Sequence, residues 1–117
     1  MADVNVTKQT TTKPNTVTKY TWTPVAAGSN AVIDSDYKDE RTIILVKTTT
    51  AGNITIKHGN GYGGVNDMTK AIAAGEEYAF TLDSTIFKNV SGDYKGKIVI
   101  ESDGTSAFSI AVIEARV

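Results

Sequence analysis

"KIVIESDGTSAFSIAVIE", Lys97 to Glu114, decides the fold class. Large apolar residues recur at every second position on both sides of Asp103-Gly104. Ile98 and Ile100 share one face of the first run, and Phe108, Ile110 and Val112 share one face of the second. A period of two belongs to a strand buried on one side. Asp-Gly is a strong turn signal, because glycine adopts the positive φ that tight hairpins need. Two partner strands joined as a hairpin are expected.

The pattern extends backwards along the chain. NITIKH alternates, with Ile54 and Ile56 inward and Thr55 and Lys57 outward. RTIILVKT is a nearly continuous β-branched run that suits a central strand covered on both faces. MTKAIAAGEEYAFTLD reads as strand, turn and strand, with the turn at Gly75-Glu76 and with Tyr78, Phe80 and Leu82 on one face. Ala31 to Ile33 forms a short strand, and SDYKDE follows as an acidic turn. TVTKYTWTP reads as a strand that places Tyr20 and Trp22 on one side. Asp83 or Ser84 caps one short helical turn containing Ile86 and Phe87. About seven to nine short strands with little helix predict an all-β protein. The expected architecture is a compact antiparallel β-sandwich, Ig-like or jelly-roll-like, with an extended N-terminal arm.

A chain of 117 residues holds one modest core. Residues 17–117 are expected to form that single domain, and 1–16 the arm. MADVNVTKQTTTKPNT carries Val4 and Val6 as its only large apolar side chains after Met1, too few to fold alone. An arm of this kind can extend a binding footprint by pairing with an edge strand, which makes Val4, Val6, Lys8 and Lys13 candidate contact residues. Its deletion is expected to weaken binding and leave the body intact. Each inward Ile or Phe of the body contributes roughly 1.5–3 kcal/mol relative to exposure.

Twelve basic residues nearly balance thirteen acidic ones, for a net charge of −1. Such a chain lacks the positive field of a general nucleic-acid binder. It has no cysteine, so no disulfide framework or thiolate metal site is expected. No apolar run resembles a signal peptide or a membrane span, so no membrane partner is expected.

The stretch most suggestive of chemistry is IKHGNGYGG, Ile56 to Gly64. A P-loop ends in Lys-Ser or Lys-Thr and opens a helix, and a dinucleotide fingerprint needs a parallel strand and a helix. Here Gly63-Gly64 runs into Val65-Asn66-Asp67, so the glycines are read as shaping a hairpin loop. His58 is the only histidine, and a zinc site needs three or four suitable ligands. Asp34, Asp36, Asp39 and Glu40 form an acidic cluster without the spacing of a calcium loop. No serine has a nucleophile-elbow context. The expectation is a protein without a reaction centre, cofactor or metal. Tyr20, Trp22, Tyr37, Tyr62, Tyr78 and Tyr94 could line a sugar-stacking or protein-contact surface. Tyr62 and Tyr94 lie in expected loops and are the candidate surface-recognition pair.

From Val46 to Ala115 the chain resembles small virion proteins of tailed bacteriophages that accompany the major capsid protein and decorate or stabilise the head. The resemblance lies in the order of four pieces: TIKHGNG, AAGE, STIFKN, and a D-G hairpin ending in VIE. It implies a noncatalytic β-rich protein, made in the host cytoplasm, that docks on the outer capsid surface. Its implied partners are the major capsid protein and further copies of itself. Gly59, Gly61, Gly75, Phe87 and Gly92 take structural roles in the shared pattern. The N-terminal third carries no match, which leaves a minor tail structural protein as an alternative. From the aromatic residues, a carbohydrate-binding or adhesion module is the other.

Overall fold

The computed structural model describes residues 3–10, 19–34, 42–61, 66–82, 84–103 and 107–114. Among them run ten strands and one helical turn: β1 (Asp3–Val6), β2 (Gln9–Thr10), β3 (Thr23–Val25), β4 (Asn30–Asp34), β5 (Thr42–Lys47), β6 (Gly52–Ile56), β7 (Met68–Ile72), β8 (Glu77–Phe80), α1 (Ser84–Phe87), β9 (Lys97–Ser102) and β10 (Phe108–Glu114). They form two five-stranded sheets packed face to face. Sheet I has the order β1-β4-β9-β6-β7; sheet II has β2-β10-β5-β8, with β3 also paired to β10. The protein is an all-β sandwich.

Alternation in sequence becomes packing through the register. In sheet I, Ala31 lies opposite Ile100, Ile100 opposite Ile56, and Ile33 opposite Ile98. In sheet II, Ile44 faces Val112 across the ladder, and Val46 faces Ile110. These inward rows are 0–1% exposed and form the centre of one core between the sheets. Cross-strand aliphatic pairs of this kind are the unit of sheet stabilisation.

The pairing departs from the expected hairpins. β9 and β10 do not pair with each other: β9 sits between β4 and β6 in sheet I, and β10 lies in sheet II. The Asp-Gly step therefore belongs to a connection between layers. Asp103 contributes to it by accepting a hydrogen bond from the Asn53 backbone N–H at 2.9 Å. Two runs that each need one buried face satisfy that need within one sheet or from opposite sheets, and here they lie in opposite sheets. The same holds for β7 and β8. Their turn lies where expected, with Gly75 at φ 77°, but it too joins sheet I to sheet II.

The sheets are mixed rather than wholly antiparallel. β1 runs parallel to β4 and β2 parallel to β10. Residues 3–10 are extended as expected, but they are built into the sandwich rather than set apart from it. Val6 is 3% exposed and belongs to the core, and Val4 packs half-buried against it. Deleting this segment therefore removes core surface, contrary to the expectation of an untouched body. β5 also differs from its expected double coverage. Thr42, Ile44 and Val46 are buried, whereas Ile43 is 46% exposed and Leu45 half-buried. Finally, among the described residues of the expected strand TVTKYTWTP, only Thr23 and Pro24 pair as strand, in β3. Just before it, the Gln9 side chain accepts from the Thr21 N–H and donates to the Thr21 carbonyl, both at 2.8 Å. The helical turn at Ile86 and Phe87 lies where expected.

Candidate docking surface

The glycine-rich loop joins β6 to β7 and is held at several points. Gly59 donates its N–H to the Ile86 carbonyl at 2.8 Å. A Cβ at Gly59 would lie 2.1 Å from the Lys88 carbonyl oxygen, so only glycine lets the two backbones approach. Asn60 clasps the same neighbour: its Oδ1 accepts from the Val90 N–H at 2.7 Å, and its Nδ2 donates to the Ser91 carbonyl at 2.9 Å. These groups are turned toward the chain's own backbone, not presented to a ligand.

His58 meets one acidic residue. Asp67 Oδ1 accepts from the His58 backbone N–H at 2.8 Å and lies 2.6 Å from His58 Nδ1, while Asp67 Oδ2 accepts from Lys57 Nζ at 2.9 Å. The Lys57 hydrogen bond, aided by those of His58, holds the Asp67 carboxyl well below the usual carboxylate range. In turn, Asp67 raises the Lys57 pKa. The cluster pins the two ends of the loop together. Among the described residues, no group of three or more His, Cys, Asp or Glu side chains could hold a metal ion. None of the described helices is long and apolar enough to cross a membrane.

The expected recognition residues have separate fates. Val6 is in the core, and Val4 lines a cavity of about 630 Å³ with Val25, Phe108 and Thr48. Lys8 Nζ lies 3.6 Å from Glu114 Oε1, tying the N-terminal segment to β10. Tyr94 is half-buried, and its hydroxyl donates to Asp3 Oδ2 at 2.9 Å. That bond raises the Tyr94 pKa. Tyr94 thus secures β1 to sheet I and is not a free platform. Lys13, Tyr37 and Tyr62 lie outside the described residues, as do Asp36, Asp39 and Glu40; Asp34 ends β4 and lies 3.5 Å from Lys97 Nζ.

A different surface collects the unpaired apolar groups. On the outward side of sheet II, exposed Ile43 lies opposite half-buried Ile113, and half-buried Leu45 lies between Ala79 and Ala111, the latter already covered at 1% exposed. Trp22 precedes β3, whose Pro24 pairs with outward Ser109, so the alternation carries Trp22 to the same side. Tyr20 lies against Trp22, with ring centroids 5.8 Å apart and planes tilted by 59°. Lys47 Nζ sits 4.3 Å from the Trp22 ring centroid, a cation–π contact that occupies one face of the indole. The outward side of sheet I differs: Val32 lies opposite Val99, both already covered at 4% and 5% exposed, and polar pairs surround them, with Thr55 opposite both Glu101 and Thr69 and Asp34 opposite Lys97. Reading RTIILVKT as doubly covered concealed this asymmetry. The surplus of large aliphatics for one buried face was the available signal.

Compared with protein-family models, curated proteins and solved structures, the chain matches none.

Proposed function

We propose that this is a noncatalytic virion protein that binds the outside of a tailed-bacteriophage capsid, and that the outward face of sheet II is its docking surface. The exposure of Ile43 near the start of β5, with Ile113 opposite it and half-buried Leu45 two residues on, is the observation that carries the reading. A sheet side that meets only water normally alternates to polar residues. A contiguous apolar patch on such a side marks a surface that another molecule covers. The partner's identity, the major capsid protein, rests on the resemblance of the segment from Val46 to Ala115. Binding the assembled shell in preference to free subunits stabilises the shell by mass action, and many symmetry-related copies multiply a modest contact.

Carbohydrate recognition is less favoured by the same geometry. Lys47 covers one face of Trp22, and the 59° tilt keeps Tyr20 and Trp22 from forming a flat shared platform. The deciding experiment mixes purified protein with matching empty heads and with tails, with and without soluble sugars. Saturable attachment to heads that sugars leave unchanged is expected. Ile43→Lys should reduce that attachment at least about tenfold, the loss for removing a well-packed apolar anchor, while circular dichroism and urea unfolding stay near wild type. Attachment to tails alone makes this a tail component. Competition by sugars, or an unaffected Ile43→Lys variant, overturns the proposal.

A further inference from the structure

The two sheets end on one side in β7 and β8, each with one backbone edge that no strand among the described residues pairs with. Between these edges lies a slot of about 200 Å³ lined by Ile54, Ile56, Ile72, Tyr78 and Phe80. An apolar cavity of about 150 Å³ accommodates a benzene ring, so this one has room for an aromatic side chain. Its rim is fixed from one side: the Tyr78 hydroxyl accepts the Ala73 N–H at 3.3 Å.

Lys70 is the unexpected element. Its cross-strand partner is Ile54, and its neighbours on the same face are Met68 and Ile72, whose partners are Ile56 and Gly52. The register therefore points Lys70 inward, toward the slot and not toward the outer face. Its ammonium lies 5.8 Å from the Tyr78 ring centroid, and among the described residues no carboxylate pairs with it. One apolar slot, one cation at its mouth and one strand edge left open among the described residues thus converge. Met68 to Ala71 is exposed along that edge.

We infer that the β7 edge is a strand-acceptor site for an extended protein segment whose aromatic side chain fills the slot and whose carboxylate, two residues away on the same face, pairs with Lys70. Main-chain hydrogen bonds to an open edge supply affinity in such an arrangement, and the alternate side chains supply specificity. The two-residue spacing follows from the strand period. The charge at Lys70 selects an acidic segment over a neutral or basic one. This site is separate from the sheet II face and does not depend on what that face binds.

The test uses the whole chain and a synthetic probe, acetyl-TTFTETT-amide, followed by amide exchange and fluorescence anisotropy. Saturable binding is expected, with slowed exchange confined to β7 and its neighbours. Lys70→Glu should weaken binding about tenfold, the scale of one charged hydrogen bond. Acetyl-TTFTKTT-amide should then recover binding to that variant, which a merely structural lysine would not allow. Lys70→Gln, with equal thermal stability, controls for folding. Absence of probe binding overturns the inference, as does binding that ignores the charge at position 70. Binding of octanoate in place of the peptide makes the slot a small-amphiphile site and overturns it too. If Lys70→Val only promotes self-association, without probe binding to wild type, the lysine merely guards an open edge and the inference fails.

Discussion

Gly59 and Asp67 show how single residues set the glycine-rich loop. At Gly59 a Cβ would meet the Lys88 carbonyl at 2.1 Å, and a backbone oxygen cannot rotate away. Gly59→Ala is therefore expected to cost about 1–3 kcal/mol, the usual range for overpacking, read as a lower urea midpoint with an unchanged slope. Asp67 governs an acid dependence. Its carboxyl is depressed below the ordinary value of 3.8 by Lys57 and His58. A depressed carboxyl contributes stability that is fully present above its unfolded pKa and is lost as pH falls through the folded one. Wild type should thus lose this contribution progressively below about pH 4, and Asp67→Asn should lack that part of the acid limb. Urea midpoints measured down the acid range check it; identical acid limbs for the two proteins would refute the role. The HGNG run was legible as a loop. Its reason was not, because Lys88 and Asp67 enter only through the fold.

Among the elements, β1 carries the clearest consequence. Four residues pair in parallel with β4, yet only Val6 is fully inside. Removing the two outer methyl groups in Val6→Ala should cost about 2 kcal/mol, at roughly 0.8 kcal/mol per buried methylene-sized group plus a small cavity. Amide exchange in β4 should accelerate with it, since β1 covers that edge. A stability within about 0.5 kcal/mol of wild type would instead mark residues 3–6 as a detachable arm. Alternation made β6, β9 and β10 readable as strands, because each buries one face. It could not tell which sheet each strand joins. Asp103-Gly104 and Gly75-Glu76 mark changes of direction, and a chain that reverses within a sheet looks locally like one that crosses between sheets. The parallel pairing of β1 was hidden further still, since Val-Asn-Val offers two apolar residues and no long-range signal.

The whole molecule is a slab of 40 × 36 × 21 Å, and its thickness is that of two sheets about 10 Å apart with their outer side chains. Its net charge of −1 gives it little long-range field. If the sheet II face docks as proposed, docking relies on apolar contact and shape, and on diffusion without steering. Association with heads should therefore proceed near the unsteered range of about 10⁵–10⁶ M⁻¹s⁻¹. Raising ionic strength from about 0.01 M to about 1 M shortens the Debye length from about 30 Å to about 3 Å. Across that range the on-rate is expected to change by less than about threefold, since an unsteered encounter has little electrostatic attraction to screen. Leu45→Glu should act chiefly on the off-rate, because the cost of burying the new charge falls after encounter. A steep fall of the on-rate with salt would show that local charge guides docking. Sheet I, with its Lys97, Glu101 and Asp34, would then be the face that meets the shell.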